Sequence, residues 1–151
     1  MLTKCKRKNR RRFAAVFAAA TAAVVFIVPG LDSRLIVRQY EIHSDKLSGA
    51  VRLALITDFH SCSYGEGQSE LVDAVRAQKP DLILLGGDII DDAVPPGYAL
   101  ELTEILAKEY PCYYVTGNHE LWSGKSETYK ASLRALGVTV LEGDRLTLSV
   151  R

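Results

Sequence analysis

Residues 81–88 read Asp81-Leu82-Ile83-Leu84-Leu85-Gly86-Gly87-Asp88. Four consecutive apolar side chains leave no polar face, so the stretch predicts a strand covered on both sides, the habit of a parallel sheet. Working outward, Ser69 to Gln78 sets Leu71, Val72 and Val75 on one helical face and is stopped by Lys79-Pro80. Before it, Val51 to Thr57 predicts a strand that runs into Asp58-Phe59-His60. After it, a helix over Tyr98 to Lys108 buries Leu102, Ile105 and Leu106. Pro111 then precedes a strand, Cys112 to Thr116, that ends in Gly117-Asn118-His119-Glu120. A helix over Ser126 to Leu136 stops at Gly137, and the apolar segments Val138 to Leu141 and Leu146 to Val150 follow. Ahead of all these, the alternation of Leu35, Val37, Tyr40 and Ile42 predicts a half-buried strand. Strand and helix in strict alternation imply right-handed crossovers and an α/β fold around a parallel sheet.

In such sheets ligands bind beyond the carboxyl ends of the strands. Three strands in succession end in polar clusters, with Asp58, Asp88 and Asn118 each 30 residues apart, the spacing of a strand–helix–strand unit. Side chains distant in sequence are therefore expected to converge on one rim. On an extended backbone Asp58 and His60, two apart, project to the same side while Phe59 turns into the packing. A carboxylate and an imidazole together suit Mn, Fe or Zn better than calcium, which takes oxygen donors. Asp88 has two oxygens with which to bridge a pair of ions, and Asn118 offers a neutral amide oxygen. Asp91 and Asp92 read equally as a solvated acidic loop before Pro95-Pro96. Three polar clusters ending buried strands cost stability unless they are paired or bind metal.

The whole chain has 151 residues, 48% hydrophobic and 25% charged, which excludes a disordered, collagen-like or polytopic membrane protein. Its net charge of +1 is unevenly spread. Residues 1–12 hold seven Lys and Arg and no acid, leaving 12 basic and 18 acidic side chains beyond them, a net of −6. Positive charge confined to a leader is no nucleic-acid-binding patch. Phe13 to Val28 follows with Thr21 as its one polar residue, a helix about 24 Å long against a hydrocarbon core of roughly 30 Å. Residues 1–12 are thus expected to be a basic cytoplasmic leader and 13–31 a transmembrane anchor or signal segment. That makes a single-pass cell-membrane protein with its domain on the extracytoplasmic side, or a secreted one if the segment is cleaved. Cys62 and Cys112 match no metal or redox spacing and are read as unpaired.

Asp58-Phe59-His60, Gly87-Asp88-Ile89-Ile90-Asp91 and Gly117-Asn118-His119-Glu120 resemble, in order and spacing, the first three signature blocks of the calcineurin-like metallophosphoesterases. With the leader, the chain looks like the membrane-associated bacterial branch of that superfamily. The resemblance implies that 35–151 forms the N-terminal half of a metallophosphoesterase-type αββα sandwich, preceded by one hydrophobic helix. It implies two divalent metal ions, with Asp58 and His60 on the first, Asp88 bridging both and Asn118 on the second. His119 would act at the leaving group, with Asp91 hydrogen-bonded to its ring, and the reaction would be phosphoester hydrolysis by a hydroxide activated between the ions. A lipid-linked or cell-envelope phosphoester suits a membrane location. Two cations would also let a body of net −6 accept an anion. Where some phosphatase branches carry an Arg directly after the second Asp, this chain has Asp92. The family also completes its ion sites with later histidines, whereas the histidines here are His43, His60 and His119. The expectation is therefore a truncated domain with an open apolar sheet face, weak metal binding and little turnover by itself, or else a catalytically incompetent membrane-anchored remnant.

Overall fold

The computed structural model describes residues 35–47 and 49–148. The expected leader (1–12) and hydrophobic helix (13–31) lie outside the described residues. The chain divides after Ile36, and the elements below all belong to the unit from Val37 onward. Among the described residues no helix is long and apolar enough to cross a membrane.

In chain order the elements are β1 (Leu53–Ile56), a 3-10 turn (Glu66–Gln68), α1 (Ser69–Gln78), β2 (Leu82–Leu85), α2 (Gly97–Glu109), β3 (Cys112–Tyr114), α3 (Asn118–Trp122), α4 (Ser126–Ala135) and β4 (Thr139–Val140). The strands form one parallel sheet in the order β1-β2-β3-β4. This is the expected α/β architecture, consistent with one half of a layered sandwich. The three predicted helices, α1, α2 and α4, start and stop within a residue of where the sequence directs, and α3 is additional. Lys79 takes up a left-handed conformation just before Pro80, and α1 ends there.

A sheet whose neighbours follow chain order, joined by right-handed crossovers, carries its connecting helices on one face. Burial along the strands agrees. Ile56, Ile83, Leu85, Cys112 and Tyr114 are buried with Leu71, Val75, Leu102, Leu106 and Leu133 from the helices. The alternate residues Leu53, Leu55 and Thr139 are exposed and Leu84 and Tyr113 half-buried, with Leu82 the exception. The opposite face is thus apolar and open, as expected. Among the described residues Cys62 and Cys112 are free; burial pushes the Cys112 thiol up to about 11, which keeps it unreactive.

The alternation from Leu35 to Ile42 does not become a strand. Residues 35–44 hold no regular element, and Tyr40 and Ile42 are 81% and 86% exposed. Alternation supplies a face but not a neighbour, and none of the four strands pairs with this segment. Leu146 to Leu148 likewise holds no regular element, and the rest of that predicted strand lies outside the described residues.

Candidate metal centre

The three loops at the carboxyl rim are tied to one another by backbone groups. From the first loop, the amides of Asp58, His60 and Ser61 donate to the carbonyls of Gly87, Asp88 and Ile89 at 3.2, 3.0 and 3.0 Å. In return, the Asp91 amide donates to Ser61 Oγ at 3.3 Å. These bonds hold a strained path: Asp58, His60, Ser61 and Asp88 all have φ between 50° and 53°, in the left-handed region that costs a non-glycine residue roughly 1–2 kcal/mol. The extended backbone expected to align Asp58 with His60 is therefore absent. The residues converge because the loop curls over the end of β2. Phe59 does turn inward, 3% exposed.

The second loop is joined to the third by Glu120, whose side chain is fully buried. Its Oε1 accepts the amides of Ile89 (2.8 Å) and Ile90 (2.9 Å), and its Oε2 those of Asp88 (3.1 Å) and Gly117 (2.9 Å). One carboxylate thus satisfies four donors from two strand ends, the Ile89 and Ile90 amides buried and those of Asp88 and Gly117 half-buried. Asp88 Oδ1 adds a fifth tie by accepting the His119 amide at 2.8 Å. The approach is so close that a Cβ on Gly117 would run into the Asp88 backbone nitrogen and Oδ1, and one on Gly87 would lie 2.9 Å from Gly117 Cα. Glycine is required at both positions by proximity.

Within this frame one donor atom each from Asp58, His60 and Asp88 lie within 4.8 Å of one another, and so do those of His60, Asp91 and His119. Asn118 opens α3 as an exposed residue beside them. His43 stands apart on the irregular segment, 3.9 Å from Glu41. The ring of His119 is held differently from expectation. Its Nδ1 lies 2.7 Å from Asp92 Oδ1 and 3.5 Å from Asp91 Oδ2, so Asp92 is the nearer partner. That hydrogen bond is the main cause holding the His119 imidazole above its ordinary value. Asp91 Oδ1 accepts the Ala93 and Val94 amides at 2.8 and 2.9 Å, which holds its carboxyl below the usual range. Its Oδ2 lies 3.3 Å from His60 Nδ1 without the alignment of a hydrogen bond, so that buried nitrogen has no hydrogen-bond partner. Carboxylates grouped with imidazoles, one of them carrying a buried unsatisfied nitrogen, are a donor set that fits a divalent transition ion.

Sequence reasoning missed two of these contributors. Glu120 stands three residues after the Gly117 N-cap, the spacing of a capping box, and reaches back to its amide. That spacing was the available signal. Asp92 carried none, since its contact with His119 arises only from the fold.

A rim of this kind at the end of a parallel sheet is a candidate metal centre on an α/β domain. The calcineurin-like phosphoesterase family matches the chain over residues 51–147, and the chain belongs to that family. It is 29% identical over 109 residues to an uncharacterized metallophosphoesterase of Helicobacter pylori, covering 70% of this chain and 29% of the relative. A putative metallophosphoesterase of Caenorhabditis elegans is 35% identical over 98 residues, 62% of this chain and 20% of the relative. An uncharacterized metallophosphoesterase of Campylobacter jejuni is 24% identical over 119 residues, 74% and 31% respectively. The chain thus spans less than a third of the length of these relatives. No solved structure gives a significant match.

Proposed function

We propose that this chain carries the first half of the active site of a metal-dependent phosphoester hydrolase. The observation that carries the reading is the convergence of Asp58, His60 and Asp88 on one rim in a chain of the calcineurin-like phosphoesterase family. In this reading Asp58 and His60 hold a first divalent ion, Asp88 shares it with a second, and Asn118 belongs to the second. Bound there, Mn, Fe or Zn supplies the positive charge and Lewis acidity that hydrolysis of an anionic ester requires. The rest falls to the protein's own side chains. His119 carries a proton on the side away from Asp92 and can deliver it to the departing alkoxide. Asp92 fixes the tautomer and favours the protonated ring. Asp91, braced by the amides of Ala93 and Val94, completes the negative wall that keeps the imidazoles oriented.

The substrate in this proposal is a phosphoester, lipid-linked or of the cell envelope. The seven basic residues before Phe13 and the apolar run to Val28 support an extracytoplasmic domain held at the cell membrane by residues 13–31. The test of the reaction is hydrolysis of an aryl phosphoester by the full chain with added Mn. Only weak turnover above the metal-only background is expected of a chain that carries half of the site, lost with a chelator and lost in Asp88→Asn. Turnover that survives both would contradict the proposal.

A further inference from the structure

The second donor group, His60, Asp91 and His119, is spaced for an ion of its own. Two donors about 2.0–2.1 Å from a tetrahedral zinc ion stand about 3.3–3.4 Å apart. Asp91 Oδ2 lies 3.3 Å from His60 Nδ1 and 3.5 Å from His119 Nδ1, the edges of such a tetrahedron. The two rings meet edge to face with centroids 4.4 Å apart, close enough for both to serve one centre. His60 Nδ1 is buried without a hydrogen bond, a cost that a coordinate bond removes. Two imidazoles and one carboxylate select borderline transition ions over Mg or Ca.

We propose that His60, Asp91 and His119 form a separate site for a zinc-like ion, and that filling it withdraws His119 from proton transfer. The ion takes the place of the proton that His119 Nδ1 shares with Asp92, so the ring is no longer an imidazolium, and the Nε2–H that it keeps is too weak an acid to be given up to the departing alkoxide. The inhibitory consequence rests on the phosphoester reading, whereas the site itself does not. His60 also belongs to the group with Asp58 and Asp88, so zinc at the second group competes with an ion at the first.

The test isolates the second group by removing the first. In the full chain carrying Asp58→Asn and Asp88→Asn, zinc and cobalt(II) are titrated and followed by calorimetry and visible absorption. The second of these substitutions keeps a side-chain oxygen to accept the His119 amide. The emission of Trp122, the chain's sole tryptophan, is a second readout, because its ring lies 5.0 Å from that of His119. One ion per chain is expected, with quenching by cobalt, and both signals are lost when either His119→Ala or Asp91→Asn is added. The Asp91 arm decides the matter if the His119 variant does not fold. No binding to the double variant, or binding unchanged in the variants that remove Asp91 or His119, overturns the site. If the site binds zinc and manganese-dependent turnover is unaffected by saturating it, the inhibitory role is overturned while the ion site stands. If Mn supports no turnover, the phosphoester reading has failed and the inhibitory role with it, but the titration still decides the ion site.

Discussion

The rim of the sheet and the segment from Val37 to Leu47 are both irregular backbone, yet one is locked and the other is not. At the rim, every turn is tied to its neighbour: four amides to Glu120, three to the carbonyls of Gly87, Asp88 and Ile89, one to Asp88 Oδ1. Among the described residues the ties of the 37–47 segment are few, chiefly Gln39 to Gln78 at 2.6 Å and a turn at Ser44 to Leu47, and the apolar side chains are exposed. Order in irregular chain thus comes from satisfied polar groups rather than from apolar content. That order is what sets carboxylates side by side against their mutual repulsion.

Glu120→Gln strikes the locked region hardest. The amide replaces one acceptor oxygen by a donor, so whichever way it lies it faces two N–H groups, buried at Ile89 and Ile90 or half-buried at Asp88 and Gly117, and leaves both without their acceptor. A loss of about 3 kcal/mol in unfolding free energy is expected from two such groups, measured by urea denaturation, together with weakened ion binding. A loss under half of that would show that the loops hold one another without the carboxylate.

The two faces of the sheet extend the comparison to its regular part. Leu85 is 1% exposed on the helix-covered face, and Leu55 is 65% exposed on the other. Leu85→Ala is expected to cost about 2–5 kcal/mol, and Leu55→Ala less than about 0.5 kcal/mol, by the same measurement. Comparable losses would mean that Leu55 is covered in solution by a second copy or by another segment.

Much of this was legible in the sequence. The continuous run Leu82 to Leu85 announced a buried parallel strand, and the periodicity of Leu71, Val72 and Val75 announced α1, because burial on a regular element leaves a period. The thirty-residue spacing announced the rim. What escaped lacks such a period. The strand foreseen over Leu35 to Ile42 needed a pairing partner that alternation does not encode. The short α3 is set by a cap. The left-handed turns at Asp58 and His60 come from hydrogen bonds to a loop some thirty residues away, and so does the displacement of Asp91 by Asp92 at the His119 ring.

The central claim is that the ties at the rim exist to gather donors for a divalent ion. Calorimetric titration of Mn into the full chain, alongside Asp88→Asn, tests it most directly. Saturable binding that weakens at least about tenfold in the variant is predicted, the scale expected when a group that holds or supports an ion is altered. Absence of saturable binding, or equal binding by the two proteins, would contradict it.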